Sequence, residues 1–124
     1  MNSKISSLLN EQINKELYSA YLYLDIADYY AEQGLNGFEN WFYVQAQEER
    51  DHAMLLRTYL LNNDEIITLT AISAPVLKKD ELKTPLTETL AHEQFVTASI
   101  NNIYAVAYEV KDFRTMQFLD WFVM

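Results

Sequence analysis

Apolar residues recur along most of this chain at the three- and four-residue spacing of a helix that buries one face. Ile5, Leu8, Leu9, Ile13, Leu17, Ala20, Leu24, Ala27 and Tyr30 keep that rhythm with no breaker among them, which predicts one long helix over about 4–33. Gly34 follows as its stop, because glycine takes the left-handed conformation that closes a helix at no steric cost. The rhythm resumes with Asn36 as the expected N-cap and Glu39 three residues on, a capping box that opens a second helix over about 37–61. The run NNDE ends it, since short polar side chains compete for backbone hydrogen bonds.

Residues 65–83, EIITLTAISAPVLKKDELK, lose the helical period and contain Pro75, so they read as a long extended connection. The length has a topological consequence. Two helices joined by a short turn are antiparallel, and a crossover this long carries the chain along the bundle, placing the third helix parallel to the second. Thr84 as N-cap and Pro85 at the first helical position begin that third helix, expected over about 85–110. Lys111 and Asp112 form a tight connection, with Asp112 capping a fourth helix that starts within 113–124 and is still running at Met124. The expectation is an all-α single domain spanning 1–124, a four-helix bundle with a long crossover between helices two and three and a truncated fourth helix.

Three residues break the apolar stripes. On a helical wheel at about 100° per residue, Glu49 points within roughly 60° of Phe38, Phe42, Ala46, Ala53, Leu56 and Leu60. Glu16 shares its direction with Ile5, Leu9, Ile13, Ala20, Tyr23 and Ala27, and Glu93 is bracketed by Leu86, Leu90, Val96, Ile100 and Tyr104. An ionised carboxylate in apolar surroundings costs several kcal/mol unless something compensates it. No lysine or arginine occupies the same stripes, which leaves outward solvation, protonation or a shared multivalent cation. Three together favour the cation.

Counted from the first turn, Glu16 lies about 19 residues back and Glu49 and His52 about 13 and 16 forward, a mismatch of roughly 5–9 Å that turn residues and tilt absorb. Glu16, Glu49 and His52 are therefore expected to meet near mid-bundle. A Glu and a His three apart on one helix is an arrangement that di-iron carboxylate bundles use. Carboxylate oxygens with one imidazole and no sulfur suit Fe(II), Mn(II) or Zn(II), and Glu49 is the candidate bridge between two metals.

Composition narrows the rest. A net charge of -9 argues against binding a phosphate backbone and for attracting cations. With no cysteine there is neither a disulfide framework nor thiolate chemistry. No apolar run approaches the roughly 18 residues of a membrane span, and the N-terminus lacks a signal peptide's hydrophobic block, so a cytoplasmic address and no membrane partner are expected.

The stretches LNEQINKELYSAYLYL, QAQEERDHAMLL, AHEQF and FLDWFV, in this order and spacing, resemble the bacterial non-haem ferritins, with the likeness fading over 65–83. The resemblance implies a first iron held by Glu16, Glu49 and His52, a second by Glu49 and Glu93, and Tyr23 beside this ferroxidase centre. Glu48 matches a ligand of the additional iron site of some members. It further implies oxidation of Fe(II) to Fe(III) by O2 or H2O2 and storage of ferric mineral in a homo-oligomeric shell of 24 subunits. Carboxylate ligands favour the ferric state, and two adjacent irons supply the two electrons that take dioxygen to peroxide. No haem is expected, because Met54 does not face the stripe. The family continues through a full fourth helix and usually a fifth, so a partial chain is the expectation here. Two rival readings share the same residues: a catalytically silent shell or interaction subunit, and another di-iron oxygen-activating enzyme.

Overall fold

The computed structural model describes residues 1–123, all helix, turn or extended connection; Met124, with the last position of the expected fourth-helix start, lies outside them. Helix α1 runs Ser3–Glu32, α2 Asn36–Asn62, α3 Thr84–Glu109 and α4 Phe113–Phe122. The Asn2 side chain opens α1 by accepting from the amides of Lys4 and Ile5 at 2.9 and 3.3 Å. Asp112 opens α4 in the same way, accepting from the Thr115 amide at 3.1 Å.

The first three helices end by one device. Gly34, Asp64 and Lys111 each take a positive φ, of 74°, 59° and 60°. The next residue then donates back into the last turn: Leu35 to Tyr30, Glu65 to Leu60 and Asp112 to Ala107, at 2.9, 3.0 and 2.8 Å. Glycine does this freely at the first turn. Asp64 and Lys111 carry a Cβ into the left-handed region, a conformation that side chains disfavour.

Two expected N-caps fall one residue late. Leu35, not Asn36, is the N-cap of α2, with no side-chain cap bond. Its amide closes α1 and its carbonyl already accepts from Glu39 at 3.0 Å, so the turn is too tight for Asn36 to stand outside the helix. Lys83, not Thr84, precedes α3, because residues 81–83 are already turning; the Thr84 hydroxyl instead donates to Asp80 at 2.9 Å.

Side-chain pairings give the helix directions. Along α1, Gln12 meets Ser99, Ser19 and Tyr23 meet His92 and Glu93, and Tyr30 meets Leu82 just ahead of α3, so α3 runs antiparallel to α1. Tyr30 stacks on Phe42, Tyr23 packs against the same ring at a tilt, and Glu16 lies by His52, so α2 is antiparallel to α1 as well and parallel to α3. The crossover accounts for this by running alongside α1 in its own direction. Asn10 bonds the carbonyl of Ile66 and the amide of Thr68, Asn14 bonds Thr70, and Lys79 reaches Asp25.

The core divides in two. One cluster draws on all four helices, with Ile5, Leu9, Leu56, Leu60, Ile103 and Leu119 near zero exposure. The other, around Tyr23, Ile26, Tyr30 and Phe42, is built from α1 and α2 with Leu77 of the crossover against it. Over this second half the face of α3 is open. Leu86 and Leu90 are exposed, the latter by 62%, and Phe38, expected in the core stripe, is exposed too. An open apolar hollow of about 390 Å³ lies between Phe38, Trp41 and Leu86. The ten residues of α4 pack lower down, where Tyr59 of α2 stacks on Phe118 at 4.0 Å between ring centroids.

Candidate metal centre

The two core halves meet at Glu16 and Glu49. Each sits on an apolar stripe, one turn from Ile13 on α1 and one turn from Ala53 on α2, and helical geometry turns both carboxylates inward. Glu16 is 1% exposed and Glu49 7%. His52, one turn below Glu49, is half-buried under the Phe122 ring of α4, with centroids 5.3 Å apart. One ligating atom from each of Glu16, Glu49 and His52 lies within 4.8 Å of the others. His52 Nδ1 stands 3.4 Å from Glu49 Oε2 and 4.0 Å from Glu16 Oε2.

Each group's charge follows from this crowding. Burial, then the adjoining Glu49, pushes the Glu16 carboxyl up to about 9. Burial would raise Glu49 as well, but hydrogen bonding from His52 and from Glu16 outweighs it and its carboxyl falls below the usual range. The two acids thus share one proton, held on Glu16. The bond to Glu49 raises His52. Glu16 Oε1 accepts from Gln12 Nε2 at 3.2 Å, whereas Glu16 Oε2 is buried with no partner. A divalent cation that displaces the shared proton would supply the positive charge which this buried oxygen, the second carboxylate and the imidazole otherwise lack.

Glu93 does not join the three. It is exposed, and its Oε1 accepts the hydroxyl proton of Tyr23. The expectation of three buried carboxylates is corrected to two, because among the described residues no helix covers α3 at that height. Tyr23 is buried, and burial followed by the Glu93 contact pushes its hydroxyl well above the ordinary tyrosine range. Glu48 is exposed and outside the cluster, though its charge helps to raise His52. His92 packs against Tyr18 and Tyr23 and bonds Ser19 Oγ at 2.6 Å; burial lowers it. Met54 packs against the lower core cluster. The wheel missed Gln12, buried one turn before Glu16 on the same stripe, and Ser99, which touches it from α3. Its i, i+4 spacing to Glu16 was the available signal.

Two antiparallel pairs joined by a long crossover, with carboxylates and an imidazole converging inside, define the ferritin-like class of helical bundle. Residues 6–124 match the family described as a ferritin-like domain. The chain is 38% identical over 123 residues to the bacterial non-heme ferritin of Campylobacter jejuni, covering 99% of this chain and 74% of that one. It is 34% identical, at the same coverage, to a probable bacterial non-heme ferritin-like protein of Haemophilus influenzae. Among solved structures, an open pore ferritin from the archaeon Archaeoglobus fulgidus superposes with a TM-score of 0.95 at 39% identity, covering 99% of this chain and 76% of that one. The chain belongs to the ferritin family. It is a subunit of the iron-storage kind.

Proposed function

We propose that this subunit is a ferroxidase, oxidising Fe(II) to Fe(III) with O2 or H2O2 and passing the product to a mineral store inside a homo-oligomeric shell of 24 copies. Iron enters as the substrate. Glu16, Glu49 and His52 hold the first ion, and Glu49 with Glu93 holds a second. Ferrous iron supplies the electrons, and the carboxylates favour the ferric product.

The observation that carries this reading is the buried, unpartnered Glu16 Oε2, which faces Glu49 and His52 and meets no donor from the protein. The surrounding residues add to it. Tyr23 holds Glu93 at the edge of the site through its hydroxyl, and Phe122 shields one face of His52. Glu48 and Asp51 add negative potential where His52 is open to solvent, which draws cations toward it.

The test is an anaerobic Fe(II) titration of the metal-free protein followed by admission of air, with ferric absorbance as the readout and Glu49→Ala as the comparison. Rapid oxidation in the parent chain and a rate lower by at least tenfold in Glu49→Ala support the proposal. Equal rates, or none in either protein, would identify a silent shell subunit instead.

A further inference from the structure

Behind Glu16 runs an unbroken line of hydrogen bonds from the flank of the bundle to the buried carboxylate. Lys15 Nζ donates to Ser99 Oγ at 2.8 Å, Ser99 Oγ donates to Gln12 Oε1 at 2.7 Å, and Gln12 Nε2 donates to Glu16 Oε1 at 3.2 Å. The direction of every bond is set by chemistry. An ammonium has no lone pair, so the serine oxygen accepts from Lys15 and turns its single proton to the other side. That proton needs an acceptor, which fixes the Gln12 amide with its carbonyl toward Ser99 and its NH2 toward Glu16. A reversed amide would set a carbonyl oxygen against the carboxylate.

Both ends of the line are anchored. The Lys15 ammonium lies 5.5 Å from the centroid of the Phe95 ring, a cation–π contact that holds it on this flank. Gln12 is fully buried, so no water takes the place of Ser99 at its carbonyl. The line joins α1 to α3 but touches neither Glu49 nor His52.

We infer that Lys15, Ser99 and Gln12 are positioning residues for Glu16: by engaging Oε1 from behind, they leave Oε2 alone to face the cation, so that Glu16 binds through one oxygen in a fixed orientation. The inference rests on the ferroxidase reading above. A glutamate has three side-chain torsions, and without the line it would lose that freedom on each encounter with a metal ion. Outer partners of this kind commonly change metal affinity or activity by roughly 10–100-fold.

Co(II) binding to the metal-free protein tests it without any oxidation step, because the visible absorption of Co(II) reports both affinity and coordination number. Ser99→Ala cuts the line at its middle, Ser99→Thr keeps the hydroxyl, and Lys15→Met removes the outermost donor while retaining the stem. The expected result is a roughly tenfold weaker affinity and an altered band shape in Ser99→Ala, recovery in Ser99→Thr, and a smaller loss in Lys15→Met. Parent-like affinity and spectrum in Ser99→Ala, or no recovery in Ser99→Thr, would overturn the positioning role and leave the ferroxidase reading standing. Should Ser99→Ala fail to fold, Lys15→Met decides, with unchanged binding counting against the line. A parent protein whose Co(II) binding is indifferent to Glu49→Ala would sink both.

Discussion

Replacing Glu16 with glutamine should make the metal-free protein more stable and the metal-loaded protein less so. Glu16 is buried beside Glu49, and its carboxyl is raised from 4.5 to about 9. At pH 7 the folded wild type therefore carries a proton there that the unfolded chain does not. Holding that proton costs about 3 kcal/mol at pH 7, at 1.36 kcal/mol for each unit between the unfolded value and the ambient pH. A group raised on folding contributes stability that is fully present below its unfolded value and lost as pH rises through its folded value. The metal-free wild type should accordingly weaken from pH 4.5 to 9, by up to about 1.4 kcal/mol per unit.

The glutamine is neutral at every pH, accepts from Gln12 as before and can donate to Glu49, so it escapes that slope. At pH 7 the variant should gain about 3 kcal/mol, roughly 10 °C in Tm for a chain of this size, and less than about 1 kcal/mol near pH 5. Saturating Zn(II) should reverse the order. Metal at a thousand times its Kd adds about 4.1 kcal/mol to a protein that binds it, more than the roughly 3 kcal/mol that the glutamine gains, and the variant has lost the anionic ligand. Urea denaturation of chelator-stripped protein at pH 5, 7 and 9, with and without Zn(II), reads all of this. A variant less stable than wild type without metal at pH 7, or a gap that does not shrink in acid, would refute the shared-proton account of the site.

Leu56→Ala, at a position with no exposure in the four-helix part of the core, should cost about 2–5 kcal/mol, measured as a lower urea midpoint at unchanged slope; a loss under about 1 kcal/mol would mean that the two core halves are not packed as described. Tyr23→Phe removes the hydroxyl that holds Glu93 and should cost about 1 kcal/mol of stability while slowing Fe(II) oxidation in stopped flow. Its Co(II) affinity should match wild type, because Glu16, Glu49 and His52 keep their contacts; weaker binding at an undiminished rate would reverse the role assigned to Tyr23.

Some of this was readable from single residues. Gly34 announces a left-handed helix stop and Asp112 a cap, and both occur, because such signals depend only on the residue's own backbone and side chain. Asp64, within the polar run that marks the end of α2, takes the same conformation, whereas Lys111 takes it with no residue signal, since the tightness of the turn imposes it. Asn36 and Thr84 are good N-cap residues set one place inside their helices, where the geometry of the preceding turn overrides the preference. Within the site, Glu16, Glu49 and His52 could be found because a charged residue on an apolar stripe is anomalous. Gln12 and Ser99 could not be found that way, because neutral polar residues on a stripe raise no such conflict.

The sequence by itself determined the four helices, the long crossover and which side chains each helix turns toward its neighbours. Those properties repeat every few residues along one rod and need no knowledge of another. Only the tertiary structure decided which inward-pointing groups meet and which remain uncovered. A wheel gives direction but neither height nor cover, so it treated Glu16 and Glu93 alike. Packing then buried the first against Glu49, Gln12 and His52 and left the second in the open on the uncovered stretch of α3, tied to the rest by the hydroxyl of Tyr23.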